Sequence, residues 1–249
     1  MVPILEGVSD MPSRLTARIA PIAMLGAILA VGVVPAHATL IISLQEDSGP
    51  IANVGTAANF TSVSFTGTVG DFTVTIDGAS SGNAASQSFL LSSDTEVHNN
   101  DTATHTLHVW ASQTDYSLPA GSPLQVESSM GGSVNSGTLT LTNIFQAYAD
   151  KNNNLLGAPL PGPAITDFTN GPQSATPSGS AFDTGSAFGH FTRTGNYSLT
   201  LVSNIELSGG GDMNLAAHEH VTVPEPWSIA IAGPGVLGLI GYGLRRRRA

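Results

Sequence analysis

His218 and His220 stand two residues apart, a spacing that puts both imidazoles on one face of a β-strand, as two ligands of a zinc site would be. Glu219 between them points to the opposite face, so a third ligand would have to come from elsewhere. A polar outer face is the reading these residues favour. His105 and His108 are three apart on a strand, fall on opposite faces and cannot share a metal there. Asp150, Asn152 and Asn154 offer oxygens at i, i+2 and i+4, the way a calcium loop begins. Leu155 and Pro161 stand where such a loop requires Gly and Glu, which excludes an EF-hand and leaves a looser calcium site as the one cofactor candidate. Asp183-Thr184-Gly185 spells the aspartic-protease triplet, but it occurs once and follows a proline-rich stretch, so a turn built from Asp and Gly explains it. Trp110 shares a strand face with Thr106 and His108, opposite Leu107 and Val109, and is a candidate platform for stacking a sugar. No Gly-x-Ser-x-Gly elbow, phosphate loop, dinucleotide fingerprint or His-Glu-x-x-His is present, and no catalytic residue is assigned.

The elements that must position these residues read as strands. From Tyr197 to Leu207, Tyr, Leu, Leu, Ser, Ile and Leu alternate with Ser, Thr, Val, Asn and Glu, a clear period of two. Phe72, Val74 and Ile76 share a face opposite Thr73 and Thr75. Further strands are expected at Leu40–Leu44, Phe60–Phe65, Ser86–Leu91, Thr104–Ala111, Leu124–Ser128, Thr138–Thr142, Ala187–Thr192 and Ala217–Val221. Turn residues separate them, among them Val69-Gly70-Asp71, Asp77-Gly78, Gly131-Gly132 and Gly209-Gly210-Gly211. The pattern predicts an all-β domain over residues 39–222, an antiparallel β-sandwich of jelly-roll or Ig-like type. Asn152 to Gly185 carries five prolines and no apolar alternation, and is read as a long surface loop.

Charge narrows the partners. Residues 39–222 hold 15 Asp and Glu against Lys151 and Arg193, a net charge of −13, and such a surface repels nucleic acid. The chain has no cysteine, so the domain must be held without disulfides.

Both ends carry addresses. Arg14 and Arg18 precede an apolar run from Ile19 to Val34, and Ala36-His37-Ala38 is a small-x-small cleavage site that places the mature start at Thr39. Residues 1–38 are therefore read as a signal peptide, with Met11 as an alternative initiator. At the other end, Trp227 to Leu244 is uncharged and spans about 27 Å as a helix, close to a bilayer's hydrocarbon core. Arg245, Arg246, Arg247 and Arg248 follow as a membrane stop that stays cytoplasmic. The tail over residues 223–249, with Val223-Pro224-Glu225-Pro226, the apolar run and the arginine end, resembles the PEP-CTERM sorting signal of exported Gram-negative proteins. That resemblance implies recognition of Pro224, Glu225 and Pro226 by an exosortase, a membrane-embedded cysteine peptidase. It also implies export across the inner membrane to the cell surface or extracellular matrix, with the C-terminal helix as the membrane anchor before processing.

Two functions fit these observations. One is a non-enzymatic surface or matrix module that contacts exopolysaccharide in a biofilm. The other is a secreted hydrolase acting on glycans or peptides, which the lack of an acid/base or nucleophile motif disfavours.

Overall fold

The computed structural model describes residues 38–155 and 169–224. The cleavage-site Ala36, Glu225 and Pro226 of the sorting motif, the apolar run 227–244 and Arg245 to Arg248 lie outside these residues. Thr39, the expected mature start, is the first residue of the first strand.

Fourteen strands are described: β1 Thr39–Glu46, β2 Ala52–Ala58, β3 Val63–Val69, β4 Phe72–Asn83, β5 Gln87–Asn99, β6 His105–Tyr116, β7 Leu124–Ser136, β8 Phe145–Asp150, β9 Thr169–Gln173, β10 Thr176–Ser178, β11 Ala181–Asp183, β12 Ala187–Phe191, β13 Tyr197–Leu207 and β14 Asp212–Thr222. The domain is all-β, and its strand pairings are antiparallel. Among the described residues there is no helix long and apolar enough to cross a membrane. Six strands form one sheet in the order β2-β1-β6-β13-β8-β9. The other sheet runs β10-β11-β7-β14-β5-β4-β3, with β12 also paired to β7.

Alternation of side chains makes these strands amphipathic. In β14, Met213, Leu215, Ala217 and Val221 are buried while Asn214 and Ala216 between them are exposed. In β4, Phe72, Val74 and Ile76 are buried, with Thr73 and Thr75 half-buried on the other face. Leu40, Ile42 and Leu44 of β1, Leu107 and Val109 of β6, and Leu199 and Ile205 of β13 join the inward residues of β4, β5, β7 and β14 in one hydrophobic cluster. The two sheets thus share a single core, which removes apolar surface from water on both inner faces. One end of it is aromatic. The Tyr116 and Tyr197 rings stack at 5.4 Å, Phe191 meets Tyr197 edge-on at 5.1 Å, and Phe60 packs on Tyr116 at 5.1 Å.

Four expectations need correction. Asp77-Gly78 and Gly131-Gly132 do not separate strands but lie inside β4 and β7. The segment 152–185 is not uniformly loop, because β9, β10 and β11 fall inside it. Pro172 sits in β9, which ends its sheet, where a missing N–H costs no ladder bond. Thr138–Thr142 alternates yet forms only one bridge, Leu139 to Leu207, because positive φ at Gly137 and Asn143 bends the chain on either side. The strand expected at Phe60–Phe65 starts at Val63, since Asn59 and Phe60 both adopt positive φ in a turn.

Candidate functional site

Four carboxylates surround His105 at one end of the molecule. Glu46 closes β1, Asp47 follows it, Asp71 lies in the β3–β4 turn and Asp101 in the β5–β6 loop. The His105 ring hydrogen-bonds through Nδ1 to Asp47 Oδ2 at 2.8 Å and through Nε2 to Asp101 Oδ2 at 2.9 Å. Glu46 Oε1 and Asp71 Oδ2 stand at 3.8 and 3.9 Å. The bonds to Asp47 and Asp101 raise the imidazole pKa to about 9, so both ring nitrogens donate at neutral pH. His105 in turn lowers the pKa of Asp47 and of Asp101.

Ligand atoms of Glu46, Asp71 and His105 all lie within 4.8 Å of one another, close enough for a metal ion. A protonated imidazole has no lone pair to give, so a cation would first have to displace the proton that Asp47 and Asp101 hold. The arrangement acts as an ion-pair clip joining the end of β1 to the β5–β6 loop. Its pH dependence has a definite sign. The raised His105 pKa contributes stability in full below its ordinary 6.5, and that contribution disappears as pH climbs through about 9. The lowered carboxyl pKa values contribute above the ordinary 3.8 and fade in stronger acid. Melting temperatures measured from pH 6 to pH 10 should therefore fall more steeply for the wild type than for His105→Gln. Parallel slopes would dismiss the clip.

Asp150, Asn152 and Asn154 are brought together, but as a turn. Asp150 is buried, its Oδ1 accepting the Asn152 N–H at 2.8 Å and its Oδ2 the Asn154 side-chain amide at 2.7 Å. Asn153 adopts φ 60° and exchanges hydrogen bonds with Asp115. The carboxylate thus serves chain donors, as in an Asx-turn. Asp183 behaves alike, accepting the Gly185 N–H at 2.7 Å, with Gly185 at φ +67°.

The outer faces of the sheets carry further aromatic residues. On the six-stranded sheet Trp110 is half-buried and its ring stacks on His108 at 5.6 Å, while His108 Nδ1 bonds Asn204 Oδ1 at 2.8 Å. His108 and His105 occupy opposite faces of β6, as their spacing requires.

A longer row crosses the eight-stranded sheet. Register pairs Gly82 with Phe89, Phe89 with His220, His220 with Glu127, and Glu127 with Phe188. Directly opposed residues share a face, so five strands present one line of side chains. From Phe89 to Phe188 it measures about 14 Å at the usual strand spacing. Phe188 is 59% exposed, and Val223 is the other large exposed hydrophobic residue among those described. The Phe89 ring lies over Gly82, where any Cβ would collide with it. His218 stands beside the row, its ring 4.8 Å from that of His220 and its nitrogens 3.3 and 3.4 Å from Ser129 Oγ. Burial, then the neighbouring His218, lowers the His220 pKa, keeping that imidazole neutral at neutral pH. His218 and His220 do share a face, as their spacing says. Phe89, Glu127 and Phe188 escape sequence reading, because only cross-strand register aligns them.

Hollows on this sheet are small and open. One lined by Thr73, Thr75, Glu96, His98 and Asp212 holds about 270 Å³, and one lined by Asp94, Glu96, Gly131 and Asn214 about 240 Å³. Both fall below the roughly 300–1,000 Å³ of small-molecule clefts, so they suit surface contact better than enclosure.

One carboxyl stands apart. Glu219 faces inward from β14 at 0% exposure, and neither of its oxygens has a hydrogen-bond partner. Burial raises its pKa well above the usual carboxylate value and favours the neutral acid, opposed by the nearby Thr200 backbone N–H, which does not meet hydrogen-bond geometry.

No protein family, no curated protein and no solved structure matches the chain.

Proposed function

We propose that this is an exported, non-enzymatic β-sandwich module of the cell surface or extracellular matrix, which binds a neutral exopolysaccharide across the outer face of its eight-stranded sheet. The observation that carries the binding reading is the outward-facing row Phe89–His220–Glu127–Phe188, half-buried except for the exposed Phe188. Aromatic and neutral imidazole faces offer apolar surface to the axial C–H groups of a sugar ring, and Glu127 accepts from its hydroxyls. A domain of net charge −13 repels acidic glycans, which favours an uncharged chain.

The reading of the destination rests on the PEP-CTERM-like tail. An exosortase-type peptidase would recognise Pro224-Glu225-Pro226, and the apolar run would hold the chain in the inner membrane until then. Two core-sharing antiparallel sheets support a sandwich as the architecture. The sealed position of Glu219 favours binding over hydrolysis, because a glycosidase needs its raised-pKa acid in a groove open to substrate.

Titration of the full-length protein with the producing bacterium's exopolysaccharide, and with neutral glucans and galactans, tests the site. Phe188→Ala and His220→Ala should each weaken binding about tenfold, or roughly 1.4 kcal/mol. Trp110→Ala, on the opposite sheet, should leave it unchanged. Equal affinity of the Phe188/His220 double variant and the wild type would end this assignment. Loss of binding in Trp110→Ala alone would move the site to the other sheet.

A further inference from the structure

Two imidazoles stand together on the outer face of β14 with no carboxylate bound to either. The ion pairs among the described residues engage His98 and His105, not His218 or His220. A neutral imidazole keeps one nitrogen lone pair, the form in which histidine ligates metal. Burial, then the neighbouring His218, favours that form at His220. The two rings are 4.8 Å apart between centres. Two imidazoles on one tetrahedral zinc, each bound at about 2.05 Å, hold their ring centres roughly 5.2 Å apart. A small outward shift, with each ring turned about its own axis to point a nitrogen at the common centre, brings the pair to that spacing.

The third ligand comes from across the ladder. Glu127 on β7 is directly opposite His220, a pairing that sets the two Cβ atoms about 4.5–5.5 Å apart. It is half-buried and close enough to act on the His220 ring through space. Its Oε1 accepts from Ser186 Oγ at 2.8 Å, and to ligate it must turn away from that exposed hydroxyl, which water satisfies as well. Ser129, opposite His218, places its Oγ 3.3 Å from Nε2 and 3.4 Å from Nδ1 of that ring. Whichever nitrogen of His218 does not ligate thus keeps an outer partner to orient it. The β7–β14 ladder runs from Asp212 to Thr222 and fixes the backbone under all of these side chains. A net charge of −13 over residues 39–222 draws cations to this surface. The cluster at His105 is a poorer host, because both of its ring nitrogens are held by carboxylates.

We propose that His218, His220 and Glu127 form a zinc site on the outer face of the eight-stranded sheet, three ligands from two adjacent strands with the fourth position open to solvent. Two imidazoles and one carboxylate suit zinc, whereas calcium and magnesium take oxygen ligands. The ion clasps the last strand of the domain to its neighbour in a chain that has no cysteine to do so. The site shares His220 and Glu127 with the glycan-binding row but does not depend on that reading, since zinc uptake is measured without sugar.

Calorimetric titration of zinc chloride into the untagged full-length chain, in detergent and with no glycan present, tests the site. One zinc per chain should bind, with calcium and magnesium failing to compete. His218→Ala and His220→Ala should each weaken zinc binding at least tenfold, and Glu127→Gln about tenfold. His105→Gln should bind as the wild type does. Cobalt in place of zinc should give the visible absorption of a tetrahedral ion, lost in both histidine variants. No uptake at millimolar zinc, or equal affinity of the His218/His220 double variant and the wild type, overturns the proposal. So does loss of binding in His105→Gln alone, which assigns the ion to the other cluster. Wild-type affinity in Glu127→Gln overturns the three-ligand site. Zinc uptake by a protein that binds no glycan sustains this site and ends the other reading.

Discussion

Truncating Tyr197 to alanine is expected to lower the unfolding free energy by about 4 kcal/mol, near the upper range for deleting a buried aromatic ring. Tyr197 is fully buried, stacked on Tyr116 and met edge-on by Phe191, so the cavity left behind would be lined by other rigid rings that cannot close it. Its hydroxyl adds little. It donates to the Leu118 carbonyl at 2.5 Å, but Ser88 Oγ donates to the same oxygen at 2.5 Å. Tyr197→Phe should accordingly cost only about 1 kcal/mol, because the acceptor keeps a partner. Urea titrations of the two variants test this ordering. Similar losses for both would mean that the hydroxyl, and not the ring, holds that end of the core.

The second large effect is at Gly132. This residue lies in β7 between β14 and β11, opposite Leu215 and Phe182. A Cβ there would strike the Asn214 carbonyl oxygen, come within 2.9 Å of Leu215 Cα and stand 2.8 Å from Phe182 Cζ. Two of those neighbours are backbone of a strand paired along its whole length, so no rotamer change relieves the clash. Gly132→Ala should destabilise by roughly 3 kcal/mol, as overpacked core sites do. Gly195, with nothing within 4 Å of a built Cβ, provides the control. If Gly132→Ala and Gly195→Ala melted together, the close approach of β7 and β14 would be refuted.

Local order was legible in the sequence, and non-local order was not. The alternation from Tyr197 to Leu207 marks β13 with its inward Leu199, Leu201 and Ile205, since period two is a property of one strand. What it does not tell is that Ser198, Thr200 and Val202, on the other face, are buried too. The same limit hid β10 and β11, three residues each, too short for any period to register. The Asx-turns at Asp150 and Asp183 rest on residues two to four positions apart, and the sequence shows their chemistry directly. The clip at His105 draws partners from the end of β1 and from three separate connections, as far as 59 residues away in sequence, so no spacing announces it. Glu219 could be assigned to the opposite face from His218 and His220. That this face is the sealed core follows only from its neighbours on β5 and β7.

The position of β14 has a mechanical consequence. It is the last strand of the described domain, runs straight into Val223 and Pro224, and lies between β5 and β7 with pairing over nearly all its eleven residues. Tension applied through the C-terminus pulls along that strand and loads two hydrogen-bond ladders in shear, so they must yield together instead of peeling one bond at a time. A chain tethered at this end would resist extraction by flow far better than one held by an edge strand.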